Sequence, residues 1–232
     1  MIKDDFMRLK TVLRGWLIIF IFYLSSVFKY IPIYIFKLNI DKVKSSVTLS
    51  LLLSIFSALC ISLIFIFLYR KELLHELKTF KDKFLECIDT GFACWIIGLI
   101  IMMISNLIIS YVFNAGGAKN ENTVQSLITA APFLMSFEVC LLAPFNEEIV
   151  FRKAIRDISI NKYLFVIVSF LFFGGAHVIG MASSLTDFLY IIPYGTLGAV
   201  FAIAYVKTDS IFTSVTFHML HNTILFVLSL LI

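Results

Sequence analysis

Two adjacent glutamates and an arginine interrupt an otherwise apolar stretch, FNEEIVFRKA, at residues 145–154. Glu148 and Arg152 are four residues apart, so in a helix they share a face, with the acid on the N-terminal side, which favours an ion pair. Glu147 points about 100° away from Glu148. We therefore expect Arg152 to neutralise one carboxylate and leave the other free for proton transfer. The alternative is a structural charge cluster at a helix end.

His177 lies near the far end of the later apolar segment FFGGAHVIG, where Gly174 and Gly175 let a neighbouring helix approach closely. If the chain turns near residues 158–161, the depths of Glu147 and His177 differ by about 8 Å, at 1.5 Å per helical residue. An antiparallel hairpin would then bring the carboxylate and the imidazole together. The alternative is a histidine that is only packed and hydrogen-bonded.

The last apolar segment contains FHMLHN, with His218 and Asn222 one helical turn apart and His221 flanking them. Such a pair can donate two hydrogen bonds to one point, as a tetrahedral oxyanion requires. Hydrogen bonding between helices is the structural alternative. Because no serine or cysteine lies in a recognisable nucleophile motif, the predicted chemistry is attack of an activated water on an amide.

Two routes to that water are open. In one, Glu147 and His177 activate it without a metal. In the other, Glu147, His177 and His218 hold a zinc ion, since glutamate and histidine are ordinary zinc ligands. The compact HExxH signature is absent, so the sequence favours the metal-free route and no required cofactor.

The rest of the chain is typical of a membrane protein. Its 232 residues are 60% hydrophobic and only 15% charged, and its mean hydropathy is +0.98. Several stretches of about 20 residues carry almost no charge, the length that crosses the hydrocarbon core. The net charge is +4, but the lysines and arginines are assigned to loops between the apolar segments and give no indication of nucleic-acid binding. The four cysteines lack ligand spacing and are interpreted as small hydrophobic residues.

We predict an all-helical bundle of seven spans, with an uncleaved first span. Assigning the N-terminus to the inside puts fourteen Lys or Arg residues in inside segments and only Lys37, Lys42, Lys44 and Lys119 outside, which satisfies the positive-inside rule. The predicted spans are 14–36, 46–69, 92–114, 128–157, 162–180, 185–206 and 211–232.

Three further predictions concern the segments around these spans. Apolar residues at helical spacing over Arg70 to Ile88 predict an amphipathic helix on the inner membrane face, with a solvated linker helix as the alternative. The polar segment from Ala115 to Ser126 predicts an external loop. Pro144 is expected to kink the fourth span and separate Glu138 from the glutamate pair.

The motifs resemble those of the CPBP family, the CAAX proteases and bacteriocin-processing enzymes, which includes the type II CAAX prenyl endopeptidases. The resemblance covers about residues 128–232, and the first three spans carry no matching motif. The three motifs occur in order on successive spans: EExxxR at Glu147, Glu148 and Arg152, FxxxH at Phe173 and His177, and HxxxN at His218 and Asn222.

The resemblance implies an intramembrane peptidase fold with a polar cavity. It implies that Glu147 and His177 activate the water and that His218 and Asn222 stabilise the oxyanion. Glu148 and Arg152 would support the site. Proteins of this family are often labelled metalloproteases.

We therefore expect two parts, 1–127 with the N-terminal spans and 128–232 with the protease core. The expected function is an intramembrane endopeptidase acting on a membrane-associated peptide or protein, in a bacterial plasma membrane with the N-terminus cytoplasmic. The alternative is a non-catalytic immunity or regulatory partner that retains the fold.

Overall fold

The computed structural model describes residues 2–113 and 115–231, with side chains from residue 7 onward. Within these ranges the chain forms helices and turns and no β-strand. The predicted span ends at residues 114 and 232 lie outside the described residues. The helices are α1 (Ile2–Tyr23), α2 (Tyr30–Ile35), α3 (Ile40–Ser45), α4 (Val47–Asp82), α5 (Phe84–Phe113), α6 (Lys119–Ala130), α7 (Pro132–Phe137), α8 (Ala143–Glu148), α9 (Ile155–Ile158), α10 (Lys162–Val178), α11 (Ile191–Thr208) and α12 (Ile211–Ser229).

The predicted all-helical membrane fold is confirmed, while the long apolar helices are fewer than the seven predicted spans. Over the described residues, four helical stretches are long and apolar enough to cross a membrane: α4, α5, α12, and α11 with the 3₁₀ turn before it. A fifth is the pair Met7–Tyr23 and Ser25–Ile35, which is bent by 47°. The segment predicted as 162–180 forms α10, whose 17 residues fall just short of that length.

The segment predicted as the fourth span is divided into short pieces. Two π turns, Glu138–Leu142 and Ile149–Ala154, separate α7, α8 and α9. Pro144 is the second residue of α8, two positions after the end of the first π turn. Proline lacks an N–H and crowds the preceding helical turn, and a π turn is one way in which a helix accommodates such an interruption. A π turn thus precedes Pro144, and the kink expected there stays a prediction.

The predicted amphipathic helix from Arg70 to Ile88 is wrong as a separate element. Helix α4 continues through this segment to Asp82, and α5 starts at Phe84. Glu76 explains the difference, because its buried carboxylate accepts hydrogen bonds from the Tyr205 hydroxyl at 3.0 Å and from the Ile211 amide at 2.8 Å. These contacts attach the end of α4 to α11 and α12, so the segment is part of a long helix packed in the bundle.

The predicted loop from Ala115 to Ser126 is also wrong, since eight of its twelve residues, 119–126, belong to α6. The apolar residues that follow the polar start of this helix explain the error. Ile128 is buried and Val124 packs with it beside Met135. The segment is therefore an amphipathic helix folded against the bundle.

Helices α10 and α11 approach each other closely through glycine. A Cβ atom at Gly174 would lie 2.6 Å from the Ile191 carbonyl oxygen, and one at Gly198 would lie 2.7 Å from the Ser169 carbonyl oxygen. Both contacts are with backbone atoms, which cannot move aside cheaply. The close approach predicted for Gly174 is present, and it sets the position of His177 one turn later.

The bundle has two distinct ends. At one, the Tyr190 hydroxyl donates to the Gly116 carbonyl in the turn between α5 and α6, and we call this the Gly116 end. At the other, the Tyr69 hydroxyl of α4 donates to the Asp157 carboxylate of α9 at 2.9 Å, and we call this the Asp157 end. Side chains from both sides of residue 127, such as Phe65 and Phe201, share one hydrophobic core. The boundary between 1–127 and 128–232 stays a prediction.

Candidate active site

The ion pair expected between Glu148 and Arg152 is present. The two side chains are fully buried, and Glu148 Oε1 lies 2.9 Å from an Arg152 guanidinium nitrogen. The guanidinium carbon lies 4.7 Å from the centre of the Phe173 ring and 5.8 Å from that of Phe201. Aromatic faces and one carboxylate therefore surround a positive charge that has no access to water.

His218 lies between the two glutamates. Its Nδ1 is 2.8 Å from Glu148 Oε1, and its Nε2 is 3.8 Å from Glu147 Oε2. Because an ionised carboxylate only accepts hydrogen bonds, Nδ1 carries a proton when Glu148 is ionised. Glu148 thereby fixes the imidazole with Nε2 directed at Glu147.

Glu147 faces away from the buried ion pair, as the helix geometry predicts. Its side chain is 19% exposed, whereas that of Glu148 is fully buried. It is therefore the member of the pair that a substrate or a water molecule can reach.

His177 is held in a defined orientation by α10 and α11. Its Nδ1 lies 2.8 Å from the Phe173 carbonyl oxygen, so Nδ1 is the donor and Nε2 keeps a lone pair in the neutral ring. The ring stacks on Tyr194, with centroids 4.7 Å apart and planes 21° from parallel. The imidazole can thus accept a proton or a hydrogen bond at Nε2.

Asn222 is anchored by a backbone group of the first π turn. Its Nδ2 donates to the Val139 carbonyl oxygen at 3.0 Å. A π turn changes the regular pairing of helix carbonyls, which makes Val139 available as the acceptor. Since the amide carries two N–H groups, one remains for another partner.

A cavity of about 180 Å³ connects these residues and extends toward the Gly116 end, where α6 and the end of α12 line it. Glu148 and Arg152 lie behind it, and Glu138 borders a different cavity. The sequence-predicted residues that share its wall are Glu147, His177, His218 and Asn222.

The structure offers no assembled metal site in the ranges it describes, where no three His, Cys, Asp or Glu side chains are placed to hold an ion. The alternative ligand set of Glu147, His177 and His218 is therefore not arranged as a coordination sphere. His177 Nδ1 and His218 Nδ1 are both bonded to protein atoms, which leaves one ring nitrogen on each histidine for other chemistry.

Two site residues were missed by the sequence reasoning. Trp95 of α5 donates its indole N–H to His221 Nδ1 at 3.3 Å, which fixes the tautomer that carries a proton on Nε2. Tyr194 stacks on His177. The available signals were a tryptophan near the start of the predicted span 92–114 and a tyrosine after Pro193 in another span, and both residue types are common in membrane helices.

The fold and the site together define a helical membrane protein with a carboxylate and histidine cavity inside the bundle. Residues 129–224 match the family model described as Type II CAAX prenyl endopeptidase Rce1-like. That part of the chain is therefore similar to CAAX-protease-like membrane proteins, which confirms the resemblance predicted from the three motifs.

Two bacterial proteins are similar over more of the chain. "Putative membrane peptidase YdiL" of Bacillus subtilis (strain 168) is 29% identical over 154 residues, which cover 65% of this chain and 59% of that protein. "Membrane-embedded CAAX protease MroQ" of Staphylococcus aureus (strain USA300) is 31% identical over 149 residues, 59% of this chain and 57% of that protein. The chain thus spans less than two thirds of the length of either relative. No solved structure matches the chain.

Proposed function

We propose that the chain is an intramembrane endopeptidase that cleaves a peptide bond in a membrane-associated peptide or protein. The observation that carries the proposal is the position of His218 between a buried, paired glutamate and a cavity-facing one. Two hydrogen-bonding groups, on His177 and Asn222, line the same cavity. The family match and the names of the two relatives point to the same activity.

In the proposed reaction, Glu147 is the general base. It takes a proton from a water molecule as that water attacks the carbonyl carbon of the peptide, and later gives the proton to the leaving amine. His177 Nε2 accepts a hydrogen bond from the same water and orients it. This role agrees with the lone pair that the Phe173 contact leaves on that nitrogen.

His218 and Asn222 are proposed to stabilise the oxyanion. Glu148 accepts from His218 Nδ1 and so directs Nε2 at the cavity, where the Nε2–H of a doubly protonated ring can donate to developing negative charge. With His218 charged, the two glutamates, Arg152 and His218 have no net charge, which reduces the cost of burying them. The second N–H of Asn222 is the other donor.

The metal-free route remains our proposal for water activation, with zinc on Glu147, His177 and His218 as the alternative. Elemental analysis of the purified protein separates them, and we expect no stoichiometric zinc. A stoichiometric zinc that is lost in His177→Ala would favour the metal route.

We further propose that the N-terminus is cytoplasmic and that the active-site cavity opens on the outer side of a bacterial plasma membrane. The basic segment from Arg70 to Lys83, Arg156 and Lys162 lie at the Asp157 end, which the positive-inside rule assigns to the cytoplasm. The cavity reaches the opposite end. A substrate would accordingly be a peptide or protein segment at the outer membrane surface.

The decisive comparison is between cells that produce the wild-type chain and cells that produce Glu147→Gln at equal level. We expect peptide N-termini that appear in membranes with the wild-type chain and disappear with Glu147→Gln, because an amide cannot act as the base. Identical sets of termini, together with full biological function of Glu147→Gln, would instead favour a non-catalytic immunity or regulatory partner.

A further inference from the structure

A second cavity reaches Glu147 from another direction. Its volume is about 250 Å³, and its walls come from α1, the following 3₁₀ turn, α4 and the segment from Glu138 to Glu147. The two cavities share only Ala143 and Glu147, since the other walls of the first come from Val139 and from α6, α10, α11 and α12. The carboxylate of Glu147 therefore lies where two separate spaces meet.

The second cavity is suited to hold water. Eight of its twelve lining residues are polar, among them Ser54 and Ser57 of α4 and Lys29 after the 3₁₀ turn. A water molecule occupies about 30 Å³ in the liquid, so the space accommodates several, each with polar groups within reach. Five of the eight belong to the N-terminal spans, in which the three family motifs have no counterpart: Ser25, Ser26, Lys29, Ser54 and Ser57.

Protein contacts hold the walls of this cavity in place. The Asn146 amide donates to the Ala58 carbonyl at 3.1 Å, and its oxygen accepts from Ser62 at 2.8 Å, so α8 is joined to α4. The Ser57 hydroxyl donates to the Ser25 carbonyl and joins α4 to the 3₁₀ turn. The cavity is thus a fixed part of the fold.

Glu138 supplies a second carboxylate in this space. Among the described residues its buried Oε2 atom has no hydrogen-bond partner. A buried carboxylate oxygen without a protein partner is costly unless water satisfies it. Because Glu138 lines the same cavity as Glu147, a water bound to it lies on the path to the catalytic carboxylate.

Hydrolysis inside a membrane needs a source of water that the substrate does not block. A peptide in the first cavity would cover Glu147, His177 and Asn222 and displace water from them. The second cavity also borders Glu147, but His177 and Asn222 do not line it. A peptide in the first cavity would therefore leave the second cavity open to water.

We propose that the second cavity is the water inlet of the enzyme, with Glu138 as a positioning residue that holds water beside Glu147. This inference depends on the proposed peptidase function, but water access can be measured without any activity.

The first test measures water access in lipid nanodiscs. Ser54→Cys places a thiol on the cavity wall, and Leu52→Cys places one on the same helix at a similar depth, at a position that is 47% exposed and outside the cavity. We expect the charged, water-soluble reagent methanethiosulfonate ethylsulfonate to modify Ser54→Cys and to leave Leu52→Cys unmodified. Peptide mapping separates these sites from the four native cysteines. The proposal is overturned if Ser54→Cys is not labelled or is labelled to the same extent as Leu52→Cys, whether or not peptidase activity is found.

The second test measures turnover of quenched casein and of an internally quenched farnesylated CAAX peptide. We expect Ser54→Phe, which fills the cavity, to lower kcat about tenfold or more with little change in KM, and Leu52→Phe to leave both constants unchanged. Glu138→Leu should resemble Ser54→Phe, whereas Glu138→Gln, which still bonds water, should keep most of kcat. If Ser54→Phe and Glu138→Leu keep the wild-type kcat, the second cavity is not the water inlet. If the wild-type protein cleaves neither probe, the result argues against the proposed peptidase function itself.

Discussion

At the scale of single residues, the neighbouring glutamates differ because the helix directs them to different surroundings. Glu148 contacts Arg152 and His218 in the buried interior, and Glu147 borders two cavities. The division of the pair into a buried carboxylate and a cavity-facing one follows from local helix geometry. That geometry predicted the contact of Glu148 with Arg152, but not the contact with His218 or the two cavities beside Glu147.

The buried ion pair gives a prediction about protein amount. Arg152→Ala leaves the Glu148 carboxylate buried without its cation, which costs about 3–5 kcal/mol in comparable buried pairs. We expect the variant to be scarce in membranes and to unfold at lower temperature in detergent, as measured by immunoblot and by thermal unfolding of the purified protein.

Arg156→Ala is the matched control for this prediction. Arg156 pairs with Asp209 at 2.8 Å, but the two side chains are 36% and 72% exposed. Exposed pairs contribute about 0–1 kcal/mol, so this variant should accumulate normally. Equal loss in both variants would mean that burial of the Glu148–Arg152 pair is not the cause.

At the scale of elements, the segment that carries the proposed catalytic glutamate contains two departures from regular α-helix. The first π turn presents the Val139 carbonyl to Asn222, and Glu138 lies at its start. The second π turn contains Arg152 and is buried throughout. Irregular helix turns thus position groups on both sides of Glu147.

The glycine contact between α10 and α11 gives a prediction at this scale. Gly174→Ala should destabilise the protein by about 1–3 kcal/mol, the usual range for overpacking, because the new methyl group meets the Ile191 carbonyl. It should also lower activity, since His177 is one turn away. Gly180→Ala is the control, as a Cβ there meets nothing within 4 Å. The measurement is the thermal unfolding midpoint of each variant in detergent. Similar midpoints for Gly174→Ala and Gly180→Ala would contradict the expected close contact.

At the scale of the whole molecule, the arrangement of charge and cavities links the fold to the membrane. The site cavity reaches the Gly116 end, while Arg156 and Lys162 lie at the Asp157 end. The positive-inside rule then predicts that the cavity faces outward.

Cysteine labelling in intact cells checks this orientation. We expect a membrane-impermeant maleimide to modify Gly180→Cys, near the Gly116 end, in intact cells. Ile160→Cys, which replaces a residue that is 70% exposed beside the Asp157 end, should react only after the cells are opened. The reverse pattern would place the cavity on the cytoplasmic side and contradict the proposed orientation.

The sequence by itself determined the features that depend on residues close in the chain. The apolar composition required a helical membrane fold, and the spacing of Glu148 and Arg152 determined their contact, since neighbours in a helix are fixed by its period. The turn between α9 and α10 also followed from local pattern, and it brought Glu147 and His177 to one cavity.

Only the tertiary structure decided the features that join distant segments. Trp95 contacts His221 across 126 positions, and Glu76 contacts Ile211 across 135. The position of His218 between the two glutamates and the second cavity at Glu147 also depend on such long-range packing. Periodicity reveals which face of a helix is apolar or polar, but not which other helix that face will meet, because that choice depends on packing of the whole bundle.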